Sequence, residues 1–157
     1  MQAAGAVISL KPFRVYKSGL VLWRSGLKED HLLGPEGRDL ISFIGVIFSV
    51  TEWLLFAKRF FESFLSVDDS VRLTVRASGI KGRRLASLDR DVHFEWNFRA
   101  EIPEFELKET AAISDLRTDP EAIARKIIRS IFELFNWNDP DDAMIHSWQQ
   151  KLIQREY

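Results

Sequence analysis

The sequence predicts an α+β fold: an antiparallel sheet of three main strands plus an N-terminal hairpin, packed on a long central helix, with two helices closing the chain. Three observations carry this expectation. Residues 39–64 form the longest apolar run in the chain. Three segments between 71 and 108 alternate apolar with polar residues at a period of two, the pattern of strands with one buried and one wet face. After residue 118, two Asp-Pro pairs each open a run with helical apolar spacing.

Taken in order, residues 1–10 form a loose lead-in, short in charge and in pattern. Residues 12–24 then read as a hairpin, because two strand-like runs flank Lys17, Ser18 and Gly19. Gly26, Gly34 and Gly37 mark a connecting loop. Pro35 and Glu36 suit the first turn of a helix, which the apolar pattern extends over 35–66. Straight, that helix would be about 48 Å long, so a bend near Gly45 or an earlier end near Phe64 is expected. Ser42, Gly45, Ser49, Glu52, Arg59, Ser63 and Ser66 draw a thin polar stripe along it, and Glu52 is the one charge that leans toward burial.

The strands follow. Val71, Leu73, Val75 and Ala77 alternate with Arg72, Thr74 and Arg76. Val92, Phe94, Trp96 and Phe98 alternate with His93, Glu95, Asn97 and Arg99, and Phe105 and Leu107 with Glu104, Glu106 and Lys108. Residues 118–155 supply the two closing helices. In the first, Ile123, Ile127, Ile128, Ile131, Leu134 and Phe135 make an apolar stripe; in the second, Met144, Ile145, Trp148 and Leu152 make a weaker one. The whole reads as a single domain over 1–157.

The central run must be weighed against a membrane span. Glu52 sits inside it, Lys58 and Arg59 close it, and a carboxylate mid-span opposes insertion. The strands and closing helices also have apolar faces that need a cover, and a long helix supplies one. A core helix with no membrane contact is therefore expected. The chain has 157 residues, 46% of them hydrophobic, which suffices for one core. A net charge of −1 gives no global field toward nucleic acid or anionic lipid, so only local patches can attract either. The absence of cysteine removes disulfides, thiolate zinc sites and cysteine nucleophiles. With no basic leader pattern at the N-terminus, a cytoplasmic location is expected.

Three constellations have chemical content. Asp91, Glu106 and Lys108 match in outline a metal-dependent nuclease of the restriction-endonuclease-like class: carboxylates hold a divalent cation and a lysine assists the attacking water. The Pro-Asp element of that class is missing, and Glu and Lys alternating on a strand are also its ordinary wet face. Arg72, Arg76, Lys81, Arg83 and Arg84, with Arg90 beyond them, form a basic stretch around the Gly79–Gly82 loop, an alternative nucleic-acid site. A solvated sheet edge explains the same residues. Phe132, Phe135, Trp137 and Trp148 give the closing helices more aromatic surface than a simple cap requires, which points to an interface with a second copy or a neighbouring domain. His31, His93 and His146 lie at no ligand spacing, and neither a metal nor a cofactor is expected.

Residues 13–24, 43–64 and 71–85, the last containing Gly79-Ile-Lys-Gly-Arg-Arg84, together resemble the C-terminal region of bacterial proteins that carry a Schlafen-like, Alba-type nucleic-acid-binding module. That module itself lies outside this chain. The resemblance implies an accessory domain that oligomerises, docks or regulates beside a module handling nucleic acid, and it transfers no catalytic residue. With no complete catalytic constellation, enzymatic activity is left open and a non-enzymatic interaction or regulatory role is favoured.

Overall fold

The computed structural model describes residues 13–27, 29–30, 33–89 and 91–154. The lead-in at 1–10, His31 and Arg90 lie outside them. The chain forms two compact units, one up to Arg38 and one from Asp39 onward.

In the first unit, β1 (Phe13–Val15) pairs antiparallel with β2 (Val21–Trp23), Phe13 opposite Trp23 and Val15 opposite Val21. The turn closes through Tyr16 N–H to the Leu20 carbonyl at 2.9 Å, and Gly19 takes a φ of 82°, which a β-carbon would resist. The hairpin expected at 12–24 is present.

The long helix is shorter than the apolar run. Gly34–Asp39 is a 3-10 turn, Leu40–Ser42 is strand β3, and helix α1 runs only over Phe43–Phe61. The expected start at Pro35 is therefore corrected. Ser42 is the true N-cap, its hydroxyl accepting from Gly45 N–H at 3.0 Å. Ile41 is instead buried in a parallel pairing of β3 with β5 (Arg84–Ala86). At the other end, Arg117 Nη2 donates to the carbonyls of Glu62 and Leu65, both at 2.9 Å, and Asp69 accepts from the Ser66 N–H at 2.8 Å. These contacts end α1 before residue 66 and place a cation at its negative pole. At 19 residues the helix is about 28 Å long. It buries Phe43, Ile44, Ile47, Val50, Thr51, Leu54 and Ala57, while Ser49, Glu52 and Arg59 face water. Glu52 is thus a solvent residue, not a buried charge. Among the described residues, no helix is long and apolar enough to cross a membrane.

The sheet expectation needs a second correction. β4 (Ser70–Ser78) and β6 (Glu104–Ala112) form an antiparallel ribbon, from Ser70 opposite Ala112 to Ser78 opposite Glu104. Residues 92–98, expected as the middle strand, do not join it. Only their end pairs: Leu85 N–H donates to Phe98 O and Ala100 N–H to Arg83 O, at 2.9 and 3.0 Å. Beside the parallel β3–β5 pair, this makes a small mixed sheet at the ribbon's far end. The alternation of 92–98 arises because Phe94 and Phe98 turn inward onto Phe43 and Trp137, not because a ladder holds them.

Three helices complete the α+β fold. The short α2 (Ile113–Thr118), absent from the sequence expectation, follows β6 directly and buries Ile113 and Leu116. Helix α3 (Pro120–Glu133) is capped by Asp119, which accepts from Ala122 N–H at 2.8 Å, and has Pro120 in its first turn. Helix α4 (Asp142–Gln154) starts later than expected: Asp141, which accepts from Ala143 N–H at 2.9 Å, caps it, and Pro140 lies ahead of the cap and not in the first turn. Both α3 and α4 pack on α1, and their joint is polar. Gln149 is fully enclosed, donating to Thr51 Oγ1 and to the Glu121 carbonyl and accepting from Arg125, each at 3.1 Å.

Candidate interaction and binding surfaces

Helix α3 ends in a Schellman turn. Asn136 adopts a φ of 66°, its N–H bonds to Glu133 O, and Trp137 N–H reaches back to Phe132 O. That geometry lays the Trp137 ring over Phe132, centroids 4.9 Å apart and planes 16° apart. Phe98 stacks on the other side of Trp137 at 5.1 Å and 3°, and Trp96 follows on Phe98 at 5.9 Å and 21°. The Asn136 side chain fixes the neighbouring strand end by donating to Arg99 O at 2.9 Å. The result is a column of four rings that starts at fully buried Phe132 and ends at Trp96, which is 65% exposed.

The expected aromatic interface is accordingly redrawn. Phe132 and Phe135 are enclosed in the core and offer no outer surface. Trp137 is half-buried in the column, and Trp148 is half-buried, edge-on to Phe48 at 6.1 Å with Lys151 Nζ 4.0 Å over its ring. The exposed aromatics are elsewhere. Besides Trp96, Phe64 is 72% exposed just past α1, beside Phe60 at 5.2 Å, and Val67, three residues on in the chain, is 52% exposed.

Of the three nuclease candidates, the structure joins Glu106 and Lys108 in an ion pair on β6, while the hydrogen bond of Asp91 is local to its own segment. Glu106 lies on the wet face of β6, where Arg76 across the ribbon and Lys108 two residues on both hold its carboxylate. Asp91 sits in the 87–97 segment, its N–H bonded to Asp89 Oδ1 at 3.0 Å. Among the described residues, no three His, Cys, Asp or Glu side chains are grouped to hold a metal. Lys108 and then Arg76 pull the Glu106 carboxyl down to about 2 from its ordinary value, and Glu106 in turn raises the Arg76 guanidinium. A carboxyl depressed in the fold contributes stability above the unfolded glutamate range, near about 4.3, and loses it as pH falls toward 2. Glu106→Gln is expected to flatten the acid limb of the stability curve across that window, read as urea midpoint against pH. An unchanged limb would show the three charges are not coupled.

The basic stretch divides into two groups. Arg72 and Arg76 stand exposed on the wet face of β4. In the loop beyond, Gly79 and Gly82 take φ values of 71° and 80°, but the backbone is already engaged: Ile80, Gly82 and Arg83 N–H groups donate to Pro103, Ala100 and Ile80 carbonyls. Arg83 is structural, its Nε donating to Gly79 O at 2.8 Å and Nη1 to Leu40 O at 3.4 Å. Lys81 is exposed, and Arg84 lies directly opposite Arg99 across the strand pair. Arg99, which the sequence reading left out of the patch, donates to Asn97 Oδ1 at 2.9 Å and to Gly82 O at 2.7 Å.

Of the histidines, His93 is exposed in the 87–97 segment, and His146 Nδ1 lies 3.3 Å from Arg125 Nη1. Arg125 also faces Asp119 and Asp142 at 3.9 and 3.6 Å, so this cluster joins α3 to α4. No family model, curated protein or solved structure matches the chain.

Proposed function

We propose that this chain is a non-enzymatic interaction domain that associates with a second copy of itself through the apolar end of α1. One observation carries the reading: Phe64, 72% exposed, packs its ring beside Phe60 at the end of α1, and Val67, three residues on in the chain, is 52% exposed. Large apolar side chains grouped on a surface favour protein contact, whereas single exposed ones do not. An isologous pairing about a two-fold axis would bury both copies of the patch at once. Arg59 and Glu62, exposed at its border, supply the polar rim that such contacts have. The engagement of Glu106 by both Arg76 and Lys108 supports this reading over the nuclease one. The resemblance to accessory regions of bacterial nucleic-acid-handling proteins adds the context: a domain that brings copies of a longer protein together.

Light scattering on the full chain tests this. The wild-type mass is expected to rise toward a dimer with concentration, and Phe64→Asp to remain a monomer with an unchanged circular dichroism spectrum. A wild-type chain that stays monomeric into the high micromolar range sinks the proposal, as does a dimer indifferent to Phe64→Asp.

A further inference from the structure

We infer that the far end of the β4–β6 ribbon binds single-stranded nucleic acid, with Trp96 stacking a base and the Arg84–Arg99 pair holding the adjacent phosphate. Trp96 is 65% exposed yet braced from behind, since its ring stacks on Phe98 and through Trp137 onto buried Phe132. A flat aromatic surface on a supported column is a stacking platform, and every base has a face to lay on it. A loosely held surface tryptophan would lose more freedom on binding than this one does.

The cations sit on the same strand end. Arg84 and Arg99 are direct cross-strand partners, an arrangement that costs stability through like-charge repulsion unless an anion lies between them. Among the described residues, the Arg84 side chain has no hydrogen bond or ion pair, and no carboxylate pairs with Arg99. Arg99 is fixed through Nε and Nη1 by Asn97 and Gly82, which holds the guanidinium in place while its other nitrogen remains available. Lys81 stands exposed in the adjoining loop. Asn97 and Arg99 alternate along the backbone with Trp96 and Phe98, so ring and guanidinium project to opposite sides of one narrow strand end. A nucleic-acid strand therefore meets both by wrapping the edge of that strand end, with a base on the Trp96 side and a phosphate on the arginine side. Phosphate contact without base-edge reading makes the expected binding salt-dependent and nearly indifferent to sequence.

The test is fluorescence anisotropy of a labelled oligothymidylate of about a dozen nucleotides, titrated with the full chain at several salt concentrations, roughly 50 to 200 mM. Trp96→Ala is expected to weaken binding about tenfold. Arg84→Gln is expected to lower the slope of log affinity against log salt by about 0.7, the loss of one phosphate contact. Both variants should keep the wild-type circular dichroism, Trp96 being outside the core. Inorganic phosphate and polyglutamate serve as competitors. Displacement by phosphate alone, at concentrations that leave Trp96→Ala and wild type equal, would reduce the site to an anion pocket and overturn the proposal. Equal displacement by polyglutamate in wild type and Trp96→Ala would mark an acidic protein partner instead. Absence of binding at the lowest salt would overturn it outright.

Discussion

Phe132→Ala is expected to lower the stability of the chain by about 3–5 kcal/mol, a large share of what a domain of this size has. The residue is fully enclosed, so truncation removes its transfer free energy and leaves a cavity beneath Trp137. The damage extends along the column. Trp137 loses the ring it rests on, and the Schellman turn loses the apolar contact between its two ends. Urea unfolding measures the first effect and near-ultraviolet circular dichroism the second, since ordered stacking gives Trp137 its asymmetric surroundings. A loss below about 1 kcal/mol would mean that the base of the column is not packed as described.

Gln149→Leu comes next in size, at about 3 kcal/mol. Leucine has similar volume, so the loss is almost wholly polar. The amide of Gln149 serves Thr51 on α1, the Glu121 carbonyl in α3 and the Arg125 guanidinium, and Thr51 is itself 1% exposed. Removing it strands a buried hydroxyl, which costs more than the original hydrogen bond contributed. Adding Thr51→Val to Gln149→Leu should therefore recover about 1 kcal/mol. A double-mutant cycle by urea denaturation reads this directly. Strict additivity of the two losses would show that the pair is not coupled.

The comparison between sequence and structure turns on which signals are local. The class was legible because the β4 alternation and the α3 stripe are properties of short windows. The Asp119-Pro120 helix start was legible for the same reason, a side-chain acceptor and a fixed φ within three residues, whereas the helix after Asp139-Pro140 begins only at Asp142. Leu40 and Ile41 misled because two apolar residues ahead of a helix look the same whether they wind into it or pair with a distant strand. Their partner, Leu85, stands opposite Ile41 across a parallel register that no local window can reveal. Residues 92–98 misled in another way: period-two alternation reports that one side faces a core, not that a ladder is present.

The candidate surfaces were less legible than the fold. Phe132 and Phe135 were expected outside, yet the turn at Asn136 folds the chain back over them. Trp96 was counted with Val92, Phe94 and Phe98 on a buried face, and the pattern carries no mark of the point where the core stops. Arg99 lies beyond the basic stretch in sequence and joins it only through its pairing with Arg84.

The clamp of Arg117 on the Glu62 and Leu65 carbonyls has a consequence for association. Phe64 lies between those two carbonyls, so its backbone is pinned on either side before any partner arrives. A side chain on a free tail would surrender backbone as well as rotamer freedom when it docks, at about 1–2 kcal/mol for each residue ordered. Here folding has already met that cost, and nearly all of the apolar burial at Phe64 is left to drive the encounter.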